Sequence, residues 1–424
     1  MLLPRNLKPV ILEATKDTPV ILVNGARQTG KSTLIRHLFP PDQRPDYFSF
    51  DDLARLSAAR SGPQSFVDAL PERVVLDEIQ RVPELFLPIK LSVDQNRKPG
   101  RFLITGSADV LSLPKIADSL AGRIEVHTIW PLSQGEIRGR LENFIDAAFS
   151  DKSLPTVKPT TITEVIRYAT TGGYPDVIRR DDPHRRASWY DGYITSLMER
   201  DVRDLANIDQ LIALPNLLQL LASRAGALLN NADISRSLQL NVSTLRRYLG
   251  LLELLFLVVP LRPWYRNVGK RLVKSPKIYL NDTGLLCHLL SCNEKALSTN
   301  PTLFGGVFEN FVLMELIKQL GWSKTRAKIY HYRTVSGQEV DIVLEAADGR
   351  IVGIECKSSS SVSADTFKGM HSLKEDAGKK FHRGIVLYIG TSTVSFSKQF
   401  QAVPASALWE LFSASKNPRT ALEE

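Results

Sequence analysis

Short apolar, β-rich runs alternate with helical patterns through residues 1–130: Val20 to Val23, Tyr47 to Phe50, Val74 to Leu76, Phe102 to Thr105 and Glu125 to Ile129. That alternation predicts a parallel sheet covered by helices. A Pro/Ser/Thr-rich stretch, Ser150 to Thr161, reads as a linker, and beyond it the apolar period lengthens to that of helices over Ile162 to Thr170, Arg186 to Ile208 and Leu211 to Ala225. From Asn231 to Asp282 the spacing predicts a helix-turn-helix and then a hairpin, with Ser243 as N-cap of the second helix. From Phe304 onward a helix leads into strands again. The expected parts are 1–135, 136–225, 226–300 and 301–424, in the order α/β, α-rich, α/β.

Length agrees with several cores, since 424 residues at roughly 150 per domain is two or three domains. A composition of 43% hydrophobic and 23% charged residues is that of a globular chain, which excludes disordered and fibrous classes. The net charge of +9 favours polyanions. Cys287, Cys292 and Cys356 are odd in number and lack zinc-type spacing, so neither a disulfide framework nor a zinc site is expected, and a reducing cytoplasm fits. Leu249 to Leu261, the longest apolar stretch, carries Glu253 and Pro260 and is shorter than the ~20 residues of a membrane helix. With no secretory start at Met1 to Val10, no membrane partner is expected.

Gly25-Ala26-Arg27-Gln28-Thr29-Gly30-Lys31-Ser32, followed by Thr33, matches G-x-x-x-x-G-K-[ST] between a predicted strand and a predicted helix. Backbone N–H groups and a helix N-terminus there would cradle phosphates, Lys31 would reach the β/γ-phosphates, and Ser32 would ligate Mg²⁺. Val74 to Leu76 ends in Asp77 and Glu78, which suit a metal-holding carboxylate and a water-polarising base. A strand between the two motifs, and a Glu directly after the Asp, resemble the additional-strand P-loop ATPases. Thr105 or Ser107 would then sense the γ-phosphate. Arg123 stands where AAA-type ATPases carry the arginine finger for a neighbouring subunit, which implies a homo-oligomer; its other reading is an Arg at a helix end.

The second helix of the helix-turn-helix would expose Arg246 and Arg247, and the next segment holds Arg262, Arg266, Lys270, Arg271, Lys274 and Lys277 with no acidic residue. Trp264 and Tyr265 are interleaved. A basic wing after a recognition-type helix suits DNA phosphates, whereas the same features on a protein-binding winged helix would be a solvated face. Thr171-Gly-Gly-Tyr-Pro-Asp176 reads as a rigid turn in a helical lid, with Arg179 and Arg180 after it facing either nucleotide or solvent.

Toward the C-terminus, Glu309 falls on a helix, Gln338 to Glu345 forms a strand carrying Asp341, and Ile351 to Lys357 a second carrying Glu355 and Lys357. Alternation along the strand puts Glu355 and Lys357 on one side, and a hairpin would add Asp341. This resembles the restriction-endonuclease-like D…ExK pattern, with Glu309 as the helix-borne acid; Glu309, Asp341 and Glu355 would hold Mg²⁺ and Lys357 would orient a water. The other reading keeps the fold without the catalysis.

The whole order resembles a prokaryotic AAA-type ATPase family with a restriction-endonuclease-like C-terminal domain of unknown function, and the resemblance covers nearly all of the chain. It implies ATP and Mg²⁺ as cofactors, a homo-oligomer, and turnover coupled to DNA remodelling or processing. A nucleotide-dependent switch that binds a protein partner is the alternative. The long stretch from Gln134 to Thr161 departs from that pattern.

Overall fold

The computed structural model describes residues 2–108, 120–201, 213–267, 269, 271 and 274–412. These fall into two compact units: Arg5–Leu132 with Leu254–Leu257, and Ser133–Glu253 with Val258–Glu424 and the first four residues.

The first unit is built on five parallel strands: β1 (Val20–Asn24), β2 (Asp46–Ser49), β3 (Val74–Asp77), β4 (Phe102–Gly106) and β5 (Ile124–Thr128), in spatial order β2-β3-β4-β1-β5. All five lie within a residue of the predicted runs. The inner strands β1, β3 and β4 are unbroken apolar runs buried along their length, the signature of a parallel sheet covered on both faces. One face packs Leu56, Val67, Ile79, Phe86, Ile89 and Val93 against the sheet, and the other packs Leu7, Ile11, Leu34, Ile35 and Ile129. Strand β4 is hydrogen-bonded to both β1 and β3, so the Gly-rich loop after β1 and the acids after β3 lie on either side of it. The additional strand between the motifs in space is therefore β4, while the Tyr47 strand sits at the sheet edge.

In the second unit, helices predominate as far as Glu253. Helix Ile162–Thr171 begins in a capping box of Thr161 and Glu164, and 151–161 carries neither helix nor strand, though Leu154 and Val157 in it are buried. Pro183–Ser196 is helical and continues as a π turn to Asp201; the predicted continuation to Ile208 lies outside the described residues. Helices Asn231–Leu238 and Val242–Leu254 are followed by an antiparallel pair, β6 (Val258–Leu261) and β7 (Lys277–Leu280). The N-cap of the second helix is Asn241, whose Oδ1 accepts from Thr244 N at 2.7 Å, and Ser243 donates its hydroxyl to the same oxygen. Asn competes with Ser for a cap because its side-chain carbonyl reaches the same first-turn donors.

Helix Pro301–Leu320 then leads into β8 (Ala327–Arg333), β9 (Glu339–Ala346), β10 (Ile351–Lys357), β11 (Phe381–Tyr388), β12 (Val394–Ser395) and β13 (Phe400–Pro404). These six make one sheet, ordered β12-β13-β11-β10-β9-β8. β8, β9 and β10 form an antiparallel meander, and β11 and β13 extend it in parallel. The fold is thus mixed α/β, a parallel P-loop-type sheet followed by a separate sheet-rich C-terminal part.

Candidate functional site

The loop after β1 turns through positive φ at Gly25 (142°), Gln28 (58°) and Gly30 (93°). At Gly25 the requirement for glycine is absolute, because a Cβ there would sit 2.1 Å from the Ile129 carbonyl oxygen. Ala26 and Thr29 are buried, Arg27 half-buried, Gln28 and Thr33 exposed. Thr29 Oγ1 donates to Ala26 O at 2.8 Å and so holds the loop closed. Lys31 heads the helix Lys31–Arg36, is 4% exposed, and donates from Nζ to Gly25 O at 3.0 Å and Ala26 O at 2.8 Å.

Ser32 Oγ donates to Asp77 at 3.0 Å and 3.2 Å, joining the loop's hydroxyl to the carboxylate at the end of β3. Asp77 also accepts from Tyr47 OH and Thr105 Oγ1. Burial, with the hydrogen bond to Asp77, pushes the Tyr47 phenol up to about 12, so it stays a donor through the physiological range. Glu78 adopts the left-handed conformation, φ 62°, which is rare for a non-glycine residue and turns its side chain off the strand. Its Oε2 accepts from Ser107 Oγ at 3.1 Å and from Gln80 Nε2. Gln80 Nε2 donates in turn to Ser107 Oγ at 2.7 Å.

Two expectations change here. Thr105 is fully buried, and its hydroxyl donates to Asp77 and accepts from Glu78 N at 3.2 Å, so it positions both acids rather than facing a phosphate. Arg123 pairs with Asp94 at 2.5 Å and donates to Ala121 O at 2.9 Å, so its guanidinium is engaged within its own domain. Motif reading passes over Tyr47 and Gln80. Gln80, two residues past Glu78, is within reach of such reading; Tyr47 arrives from another strand and carries no local signal.

In the second unit the predicted acids do converge. Glu309 comes from helix Pro301–Leu320, Asp341 from β9, and Glu355 and Lys357 from β10. Asp341 Oδ2 accepts from Cys356 N at 2.8 Å, and Lys357 Nζ donates to Glu355 at 2.9 Å. Burial, followed by the Glu309 and Glu355 carboxylates, raises the Asp341 pKa well above the usual carboxylate range. Among the described residues, however, no group of three or more His, Cys, Asp or Glu side chains is disposed to hold a metal ion. The ammonium of Lys277 instead lies among these acids. It stands 3.0 Å from Glu309, 2.5 Å from Glu339 and 3.8 Å from Asp341.

Lys277, 4% exposed, is therefore not a surface cation as its place in the basic segment suggested. Arg271 is buried as well and grips Glu345 with both terminal nitrogens. Trp264 is buried against Tyr332 and cannot stack on a base. Arg246, Arg247, Arg262, Arg266 and Lys274 are exposed, and Lys270 lies outside the described residues. The Gly172 turn is clamped by a residue no motif marked: Asp282 accepts from Gly173 N at 2.6 Å, Tyr190 OH at 2.9 Å and Leu285 N at 3.0 Å. Gly172, at φ 74°, has no room for a Cβ, which would fall 2.3 Å from the Asp282 carboxylate.

A parallel sheet with β4 inserted between a phosphate-type loop and an Asp-Glu strand end defines the first unit as an AAA-type P-loop ATPase domain, the class to which nucleotide binding and hydrolysis belong. Residues 17–138 match the family described as AAA domain, 162–296 match a domain of unknown function (DUF8612), and 304–408 match another (DUF4143). The uncharacterized protein Rv2008c of Mycobacterium tuberculosis is 33% identical over 392 residues, covering 92% of this chain and 81% of its own length. The chain belongs to the same family. An uncharacterized protein of Haemophilus influenzae is 25% identical over 357 residues, 78% of this chain and 81% of that protein.

Among solved structures, AMPPCP-bound DnaA from Aquifex aeolicus is similar at 15% identity, 58% of this chain, 85% of that chain and a TM-score of 0.27. The Thermotoga maritima RuvB Holliday junction branch migration motor is similar at 16% identity, 61% of this chain, 89% of that chain and a TM-score of 0.29. Among the described residues no helix is long and apolar enough to cross a membrane.

Proposed function

We propose that this protein is a Mg²⁺-dependent ATP hydrolase that couples turnover to the remodelling of bound DNA. The reading rests on one observation, the meeting of Ser32 with Asp77 at 3.0 Å beside a buried Lys31 at the mouth of a glycine-lined loop. The donor set fits MgATP: a hydroxyl and a carboxylate in contact for the ion, and a loop too tight for side chains at Gly25 for the phosphates. Bound Mg²⁺ would neutralise charge across the phosphate oxygens.

Within this chain, Lys31 exchanges the Gly25 and Ala26 carbonyls for phosphate oxygens, and the loop N–H groups hold the rest of the triphosphate. Ser32 and Asp77 would hold the ion, while Tyr47 and Thr105 fix the Asp77 carboxylate in one orientation. Glu78, kept off the strand by its backbone conformation, takes a proton from the attacking water. Gln80 and Ser107 hold it in register.

The DNA contact is assigned to Arg246 and Arg247 on helix Val242–Leu254 and to Arg262, Arg266 and Lys274 after it, all exposed. In this reading 1–135 is the ATPase core, 136–225 the lid, 226–300 a winged helix and 301–424 a restriction-endonuclease-like domain, assembled as a homo-oligomer in the cytoplasm. The removal of Lys277, Arg271 and Trp264 from the candidate surface favours a second reading, a nucleotide switch for a protein partner.

ATP hydrolysis by the wild type, Lys31→Ala and Glu78→Gln, with and without single-stranded, duplex and branched DNA, tests the proposal. Both variants should lose at least ~100-fold in kcat, and one DNA form should stimulate the wild type. Full turnover in Glu78→Gln refutes the role of Glu78 as the base, undiminished activity in Lys31→Ala refutes the assignment of hydrolysis to this loop, and indifference to every DNA form favours the protein partner.

A further inference from the structure

The acid cluster of the C-terminal sheet contains a cation of its own. Glu309, Glu339, Asp341 and Glu355 converge from one helix and two strands, and Lys277, the first residue of β7, extends among the first three of them. Its Nζ lies within 4 Å of three of these carboxylates, and the side chain is 4% exposed. Each of the four acids is also engaged elsewhere. Glu309 Oε1 accepts from Tyr279 OH at 2.6 Å, and Glu339 Oε2 from Arg333 at 2.9 Å. Asp341 Oδ2 accepts from Cys356 N at 2.8 Å, and Glu355 Oε1 from Lys357 at 2.9 Å.

A divalent ion needs carboxylate oxygens at about 2.0–2.6 Å on several sides. An ammonium 2.5 to 3.0 Å from Glu309 and Glu339 occupies that same space. Removing one partner of such a set leaves buried charge uncompensated, so the lysine is tied to the acids energetically as well as sterically.

We propose that Lys277 is the structural cation of this domain: the cluster takes an ammonium from its own chain, assembles without a divalent ion, and offers Mg²⁺ no site while β7 is in place. The proposal takes from the restriction-endonuclease-like reading only the expectation of a metal, and it is independent of the ATPase reading.

The test uses full-length, nucleotide-free protein carrying Asp77→Asn, which removes the carboxylate of the ATP site, and compares it with the same protein carrying Lys277→Gln in addition. Mn²⁺ is titrated and followed by electron paramagnetic resonance and by thermal melting. The parent should bind no Mn²⁺ with a dissociation constant below about 1 mM, and its melting should be the same in EDTA and in Mn²⁺. Lys277→Gln should melt about 10 °C lower, take up one Mn²⁺ per chain, and regain stability as it does so. Mn²⁺ bound by the parent and lost in Asp341→Asn overturns the proposal, as does a Lys277→Gln protein that melts like the parent. Should Lys277→Gln fail to fold, Lys277→Arg replaces it: retained melting and no Mn²⁺ uptake support the internal cation, and Mn²⁺ uptake despite the guanidinium overturns it. Neither failure touches ATP hydrolysis by wild type and Lys31→Ala, so this inference and the proposed function fall separately.

Discussion

Asp77 receives three side-chain hydroxyls, from Ser32, Tyr47 and Thr105, brought from three separate places in the chain. A carboxylate so surrounded has one orientation available, which is what a metal-holding residue requires. Tyr47→Phe removes one of those donors and leaves the ring in place. It should lower ATP hydrolysis by about 10-fold, with most of the loss appearing as a higher requirement for free Mg²⁺. Steady-state rates across a Mg²⁺ titration check this, and an unchanged Mg²⁺ profile would show that Ser32 and Thr105 suffice. The residue pattern made Asp77 and Glu78 legible because they are adjacent and end a strand. It left Tyr47 illegible because its role depends on β2 lying beside β3.

Elements carry consequences that single positions do not. Strand β8 places His331 in the interior, where burial and then the nearby Lys277 ammonium push its pKa from 6.5 down to about 4. The folded protein therefore holds His331 neutral while the unfolded chain takes up a proton below pH 6.5. Stability from this group is complete above the unfolded value and is lost as pH falls toward the folded one, with a slope approaching ~1.4 kcal/mol per pH unit. Denaturant midpoints measured between pH 6.5 and 4 should fall, and His331→Phe should flatten that dependence. A slope that survives the substitution assigns the effect to other groups. The hairpin of β9 and β10 shows the converse, an element that sequence alternation foresaw: Asp341, Glu355 and Lys357 reach one region because side chains repeat every second residue.

At the scale of the molecule, a net charge of +9 favours polyanions without locating a contact, and location decides the outcome. Charge reversal to Glu at Arg246, Arg247, Arg262, Arg266 and Lys274 should weaken DNA binding most at low salt. The slope of log affinity against log salt should drop by about 1 for each phosphate that the variant no longer neutralises. An unaltered slope removes DNA from the account and leaves the protein-partner reading.

What the chain by itself determined was whatever a short stretch of backbone can enforce: the wrapping of a loop at Gly25 and Gly30, the buried strands feeding it, the two acids closing β3, and the helix-turn-helix spacing. Only the tertiary structure decided the fate of the basic segment. Lys277, Arg271 and Trp264 look like surface chemistry beside Arg262 and Lys274, yet the fold carries them inward to Glu309, Glu345 and Tyr332, residues 32 to 74 positions away for the two ion pairs. Pairing across such distances follows from which strands become neighbours. Local pattern is blind to that, because a lysine facing water and a lysine filling an acid pocket occupy the same kind of strand position.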